Sequence, residues 1–161
     1  MSVVVWDGYA LAADRQASNG GTISSVTKIK KIDNHLYGFV GAFDRAKTLM
    51  DWVEAGKDPE EWPEYQSEED SVYMIEITPD KKILKYEREP VPFEVEELQI
   101  AIGCGKAFAY GALYMGATSV QAVEAASEFD IHCGKGVDLI RLDDVPNNEK
   151  TTKEKVIKLR S

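Results

Sequence analysis

The sequence has few of the residues on which common active sites depend. Its 161 residues include two cysteines, Cys104 and Cys133, and two histidines, His35 and His132. Two cysteines cannot build a disulfide framework, and no CxxC or HExxH motif is present, so no metal site is expected. His132 and Cys133 are neighbours, and on a strand they would point to opposite faces. Without a GxSxG motif, a serine–histidine–aspartate triad is not favoured either.

Positive charge is also scarce. The chain has 28 acidic and 19 basic residues, for a formal net charge of −9. Nucleic-acid binding needs a basic surface, so nucleic acid is not expected as the main partner. No apolar run approaches the ~20 residues of a membrane-spanning helix, and the start does not resemble a secretory signal. We therefore expect a cytoplasmic protein without a membrane segment.

A phosphate-binding loop is missing too. The stretch GCGKAF at 103–108 follows a strand pattern and precedes a helix pattern. It lacks the GxxxxGK[ST] spacing and the third glycine of a dinucleotide-binding turn, so no nucleotide cofactor is expected. The length and the hydrophobic content of 43% suit a single globular domain, residues 1–161.

Apolar residues recur with strand or helix spacing along most of the chain. Asp7-Gly8 and Pro79-Asp80 each lie between two strand patterns and predict hairpin turns. The spacing becomes helical from Phe43 as far as Gly56. Two further helices are predicted over 106–116 and 118–129, with Thr118 or Ser119 as the N-cap of the second.

The remaining segments read as strands and connections. Because the helices occur in blocks and do not follow each strand, antiparallel sheets covered by helices are favoured over a doubly wound fold. The predictions are a polar loop at 17–25, strands at 26–32, 35–42, 98–102 and 137–142, an acidic loop at 57–70, a connector at 88–97 and an edge strand at 155–160.

The start of the chain offers a chemistry that needs no histidine. Ser2 follows the initiator Met1 and runs straight into the apolar stretch VVVW. A free α-amine has a pKa of about 7.7–8.0, so it can serve as a general base at neutral pH for a hydroxyl on the same residue. Such a site requires removal of Met1, a nearby cation with its carboxylate, and backbone N–H donors for the oxyanion.

The residues that follow resemble a known family. SVVVWDGYALAADRQASNGGTISSVTKIKKI is similar to the start of proteasome β-type subunits and of bacterial proteasome-like peptidases. The similarity continues in three more segments, and the short hairpin is similar to that of compact phage-encoded members. These segments are GFVGAFDRAKTLMDWVE (38–54), LQIAIGCGKAFAYGAL (98–113) and DIHCGKGVDLIRLD (130–143).

The resemblance implies an α+β fold, the four-layer αββα sandwich of N-terminal nucleophile hydrolases. It also implies hydrolysis of peptide bonds in peptides or unfolded proteins, inside a homo-oligomeric ring. The chain has no ATP-binding motif, so energy-dependent unfolding would need a separate ATPase.

The resemblance also assigns roles to residues of this chain. Ser2 takes the nucleophile position after Met1 removal, and Lys28, paired with Asp14, takes the position of the cation; Lys30 is the second choice. Gly41 matches the glycine whose N–H lines the oxyanion hole. The residues that match those supporting the terminal amine are Cys104, Asp130 and Cys133.

This chain departs from the family pattern, and other functions stay open. It has Ser2 where threonine is usual, and cysteines at two supporting positions where serine is usual. A ring-forming subunit that retains Met1 would be inactive. The further alternatives are an amidase that acts on a small molecule and an acidic protein that binds a basic partner.

Overall fold

The start of the chain forms a central strand of a sheet. A computed structural model of the protein describes residues 2–64, 67–68 and 71–144. The strands are β1 (Val4–Trp6), β2 (Leu11–Asp14), β3 (Gln16–Asn19), β4 (Thr22–Ser25), β5 (Ile29–Ile32), β6 (His35–Gly41), β7 (Val72–Ile77), β8 (Ile83–Tyr86), β9 (Phe93–Val95), β10 (Ile100–Ile102) and β11 (Val137–Ile140). The helices are α1 (Phe43–Glu54), α2 (Lys106–Tyr114), α3 (Ser119–Phe129) and a short 3₁₀ helix, Pro59–Glu61.

Two antiparallel sheets organise these elements. The first has the order β10-β1-β2-β11, and the second is the meander β5-β6-β7-β8-β9. In the first sheet, Val5 pairs with Ala12 on one side and with Ala101 on the other. Because β1 has a partner on each side, the backbone just after Ser2 is held by two ladders of hydrogen bonds.

Apolar residues fill three cores, and the cores define four layers. The run VVVW is buried on both faces, as is typical of a strand covered on both sides. Val4 and Trp6 face the second sheet, whereas Val3 and Val5 face α2 and α3. Helix α1 covers the outer face of the second sheet. The four-layer αββα sandwich is therefore confirmed, and no helix among the described residues is long and apolar enough to cross a membrane.

The helices begin and end close to the predicted positions. Thr118 is the N-cap of α3, and its hydroxyl accepts a hydrogen bond from the Gln121 N–H while the Gln121 side chain bonds back to the Thr118 N–H. This capping box decides between the two predicted cap residues. Helix α2 ends at Tyr114, two residues before the predicted end, and Gly116 follows with a φ of +92°.

Two predicted connections contain strands. The stretch 17–25 was predicted to be a loop but lies almost wholly in the hairpin β3–β4, because Gly20 and Gly21 adopt the positive φ that a two-residue hairpin turn requires. Its strands are largely exposed and polar, so they carry no apolar alternation. The connector 88–97 contains β9, an edge strand against β8. The predicted edge strand 155–160 lies outside the described residues.

The acidic loop is anchored to α1 at its first part. Trp62 packs edge-on against Trp52 of α1, with 4.8 Å between ring centroids. Its Nε1–H also donates to the carbonyl of Arg88 at 3.0 Å. Residues 57–64 therefore cover part of the α1 side of the sandwich and are not a purely solvated excursion.

A buried carboxylate in β7 organises this side of the second sheet. The Glu76 side chain accepts hydrogen bonds from Lys57 Nζ at 2.9 Å and from the Tyr86 hydroxyl at 3.2 Å, and lies 3.0 Å from His35 Nδ1. Burial and the negative charge of Glu76 raise the pKa of Tyr86, so the hydroxyl remains a donor at neutral pH.

Replacing this carboxylate should lower stability. We expect Glu76→Gln to reduce the free energy of unfolding by about 1–3 kcal/mol, because the buried Tyr86 hydroxyl and the partly buried Lys57 lose their charged acceptor. Chemical denaturation measures the change, and Glu94→Gln on the exposed strand β9 is the matched control. Equal stabilities for the two variants would contradict this account of Glu76.

Candidate active site

Ser2 is held at the edge of the sandwich by the turn between β10 and α2. Its side chain is only 3% exposed. The Ser2 N–H donates to Cys104 Sγ at 3.1 Å, and the Ser2 carbonyl accepts from the Gly105 N–H at 3.2 Å. Gly103 has a φ of +101°, and a Cβ there would lie 2.1 Å from the Ser2 carbonyl oxygen. Only glycine fits this approach.

Asp14 connects the start of the chain to two other segments. It ends β2 and is fully buried. Its Oδ1 accepts from the Val3 N–H at 3.0 Å and from Lys28 Nζ at 2.7 Å. Its Oδ2 accepts from the N–H groups of Gln16 at 3.2 Å and Gly134 at 3.1 Å. Four donors surround the carboxylate, as a buried charge requires.

The structure places Lys28, and not Lys30, against this carboxylate. Lys28 precedes β5, and its side chain is buried with 5% exposure. Because Lys28 Nζ and the Val3 N–H bond to the same oxygen, the positive charge lies next to the backbone that follows Ser2. Lys30 instead pairs with Glu54 of α1, and both of these side chains are largely exposed.

Gly41 ends β6 and lines a cavity. Its φ is +116°, and a Cβ there would lie 2.2 Å from the carbonyl oxygen of Ser71, so a side chain is excluded. The cavity has a volume of about 1310 Å³, and its lining includes Ser2, Lys28 and Gly41. These three predicted site residues therefore face one space that is large enough for several peptide residues.

The last three predicted residues form a cluster next to the Ser2 nitrogen. The sulfur atoms of Cys104 and Cys133 and a carboxylate oxygen of Asp130 lie within 4.8 Å of one another. A hydrogen bond from the Cys133 thiol lowers the pKa of Cys104 to about 7, and the same bond raises the pKa of Cys133. Cys104 is the more acidic of the two thiols, and its sulfur is the one that accepts from the Ser2 N–H.

The segment after α3 supplies contacts that the sequence did not reveal. It is a turn and not a strand, so the expectation that His132 and Cys133 point to opposite faces of a strand does not apply. The Gln16 side chain donates to the carbonyl of Ile131 at 3.0 Å, and the Gly134 N–H donates to Asp14. The glycines around 103–105 and 134–136 were the available signal, because close backbone approach favours glycine.

Known proteins are similar to this chain in fold but not in sequence. No protein-family model matches the chain, and no curated protein is significantly similar to it in sequence. Among solved structures, BPH of Thiobacillus denitrificans in complex with epoxomicin superposes with a TM-score of 0.66 at 21% identity, covering 89% of this chain and 100% of that one. A second BPH structure gives a TM-score of 0.67 at 21% identity, covering 90% and 100%.

A eukaryotic protein structure is also similar in fold. HslV from Trypanosoma brucei superposes with a TM-score of 0.66 at 22% identity, covering 86% of this chain and 97% of that one. The chain has the HslV fold. The resemblance to proteasome-like peptidases, seen in four sequence segments, is thus confirmed at the level of the fold. The superposition covers 97–100% of each of these neighbouring chains.

Breaking the Asp14–Lys28 pair should lower the free energy of unfolding more than breaking an exposed ion pair does. We expect Asp14→Ala to lower the free energy of unfolding by about 3–5 kcal/mol, because it leaves a buried ammonium group unpaired. Adding Lys28→Met to that variant removes the unpaired charge and should restore part of the loss. Thermal or chemical denaturation measures each step.

Lys30→Met is the matched control for this prediction. Its ion pair with Glu54 is exposed, so the expected change is within about 1 kcal/mol. The interpretation of the pair fails if Asp14→Ala costs no more than this control, or if the second substitution restores nothing.

Proposed function

We propose that the protein is a peptidase of the N-terminal nucleophile type, with Ser2 as its nucleophile once Met1 is removed. The observation that carries the proposal is the position of Ser2 in a 1310 Å³ cavity beside the buried Lys28–Asp14 pair. Met1 lies outside the described residues. Removal of Met1 is therefore part of the proposal and is tested with it.

The proposed reaction begins at the Ser2 hydroxyl. Oγ attacks the carbonyl carbon of a peptide bond, and the α-amine of Ser2 accepts the hydroxyl proton, directly or through a water molecule. The positive charge of Lys28 favours the neutral amine and the developing alkoxide. Asp14 keeps that charge in place with a 2.7 Å contact.

The tetrahedral intermediate then collapses to an ester. The N–H of Gly41 stabilises the negative oxygen, and the ammonium group formed at Ser2 returns its proton to the leaving amine. The C–N bond breaks and the acyl group remains on Oγ. A water molecule, deprotonated by the same amine, hydrolyses the ester and regenerates Ser2.

The Cys104, Asp130 and Cys133 cluster supports the amine in this scheme. The Ser2 nitrogen already lies 3.1 Å from Cys104 Sγ, so this sulfur can accept from the amine and orient its lone pair. Thiols are weaker hydrogen-bond partners than hydroxyls. The amine should accordingly be held less firmly than it would be by serines at these positions.

We further propose that the active form is a homo-oligomeric ring that acts on peptides or unfolded proteins in the cytoplasm. The support is the HslV fold, found in BPH and in HslV at 21–22% identity. A separate ATPase would deliver folded substrates. Short peptides need no unfolding and are the substrates for the first test.

Replacing the nucleophile is the test of the proposed function. We expect Ser2→Ala to abolish hydrolysis of fluorogenic peptides and labelled casein, because no other group of the site supplies the attacking oxygen. Ser18→Ala is the matched control, since Ser18 is a second serine on the same cavity. Unchanged cleavage by Ser2→Ala would refute the assignment.

The two lysines give an independent prediction. We expect Lys28→Met to lower kcat/KM by about 10²–10⁴-fold, the range typical for loss of a group that assists proton transfer. Lys30→Met, which removes an exposed ion pair, should change kcat/KM less than about twofold. Equal losses in the two variants would contradict the role given to Lys28.

Measurements of molecular size and of hydrolysis together distinguish the proposed peptidase from the three alternative functions. A ring without hydrolysis of any peptide would indicate a structural subunit that retains Met1. A monomer or dimer that hydrolyses small amides but not casein would indicate an amidase. A tight, salt-sensitive complex with a basic protein and no hydrolysis would indicate a binding protein.

A further inference from the structure

Three side chains that the fold brings together near Ser2 have the chemistry of metal ligands. Cys104 lies in the turn between β10 and α2, and Asp130 and Cys133 lie in the turn after α3. Their ligand atoms lie within 4.8 Å of one another. We propose that these residues form a zinc site, and that zinc bound there inhibits the peptidase by capturing the Ser2 nitrogen. The sequence, which lacks CxxC and HExxH motifs, did not predict such a site.

The donor atoms select the metal. Two thiolates with one carboxylate suit Zn²⁺, which prefers sulfur, nitrogen and a minority of oxygen ligands in tetrahedral geometry. Mg²⁺ and Ca²⁺ require oxygen ligands throughout, so they are not expected to bind. With Zn–S bonds of about 2.3 Å and Zn–O bonds of about 2.0 Å, ligand atoms lie about 3.5–3.8 Å apart, so no pair needs to approach by more than about 1.5 Å.

The backbone around the cluster holds its ligands in position. The His132 N–H donates to Asp130 Oδ1 at 2.8 Å, and the Cys133 N–H donates to the Asp130 carbonyl at 3.1 Å. The first bond orients the carboxylate, as outer hydrogen bonds do for metal ligands. A Cβ on Gly105 would lie 2.9 Å from Cys133 Sγ, so glycine leaves room for the sulfur.

Access to the site is open from one side. Cys133 is buried, whereas Cys104 is exposed. An ion can therefore enter past Cys104 and then bind the deeper sulfur of Cys133. Binding displaces the thiol protons to solvent and forms two Zn–S bonds and one Zn–O bond. No oxidant or reductant is involved.

The Ser2 nitrogen is close enough to the cluster to supply the fourth ligand of a tetrahedral zinc ion. That nitrogen lies 3.1 Å from Cys104 Sγ, whereas sulfur and nitrogen ligands of one zinc ion lie about 3.5 Å apart. The inhibitory part of the proposal rests on the proposed function, because only a free α-amine can coordinate. Once its lone pair forms a Zn–N bond, the amine cannot accept the proton of the Ser2 hydroxyl.

Cobalt provides the readout of binding. Co²⁺ added to the metal-free protein under a phosphine reductant should give the thiolate-to-cobalt charge-transfer band and the visible bands of tetrahedral cobalt, saturating at one equivalent. Zn²⁺ should abolish these bands by displacement. Absence of the charge-transfer band, or saturation well above one equivalent, would overturn the zinc site.

Variants identify the ligands. We expect Cys104→Ser, Cys133→Ser and Asp130→Asn each to weaken Co²⁺ and Zn²⁺ binding at least tenfold, with circular dichroism confirming the fold. Glu128→Gln, an exposed carboxylate two residues before Asp130, is the matched control and should bind as the wild type does. Wild-type affinity in both cysteine variants would overturn the assignment.

Hydrolysis assays separate this proposal from the proposed function. Zinc should lower peptide hydrolysis by the wild type at least tenfold, and a chelator should restore it. In the cysteine variants, zinc should change each variant's own metal-free rate less than twofold. A cobalt signal from a protein that hydrolyses no peptide would keep the site and refute the function. Hydrolysis insensitive to zinc in a protein with that signal would refute the inhibition.

Discussion

The buried ion pair between Asp14 and Lys28 is the constraint on which the rest of the site depends. A carboxylate in the interior is tolerated only when donors surround it. Asp14 has four, and they come from the residue before β1, from the start of β3, from the turn after α3 and from Lys28. Separate parts of the chain must therefore be in place before the charge is compensated. The start of the chain cannot move freely without breaking one of these bonds.

The sheets supply the rigidity that this pair needs. Strand β1 lies between β2 and β10, and its side chains alternate between two apolar cores. Ser2 sits directly before that strand, and the turn at 103–105 closes over its backbone. Chain termini are commonly mobile. Here the packing of VVVW converts the terminus into a fixed position, which is a requirement for a catalytic group carried by the first residue.

The sequence predicted the features that local chemistry determines. The turn at Asp7-Gly8, the helix from Phe43 and the cap at Thr118 all follow from short-range patterns. The order of elements predicted antiparallel sheets covered by helices, and the resemblance implied the αββα layering. The hairpin β3–β4 was missed because its exposed strands have no apolar alternation. Strand β9 was missed because Pro90 and Pro92 precede it and favour an irregular segment.

The site was predictable only in part. Resemblance singled out Lys28, but strand periodicity could not separate it from Lys30, since the difference lies in their partners, Asp14 and Glu54. The convergence of Cys104 with Asp130 and Cys133 depends on how α2 and α3 pack on the first sheet. The spacing of these residues along the chain does not contain that information. The hydrogen bonds to Glu76 were not predicted either, because they join residues that are distant in the sequence.

The proposed function requires Ser2 to be the first residue of the mature chain, with a free α-amine. The most direct measurement is the intact mass of the purified protein, before and after incubation with a covalent inhibitor that traps N-terminal nucleophiles. We expect the mass of residues 2–161 before incubation, and that mass increased by one inhibitor afterwards, with the label located on Ser2. A mass that includes Met1, with no label, would contradict the proposed function.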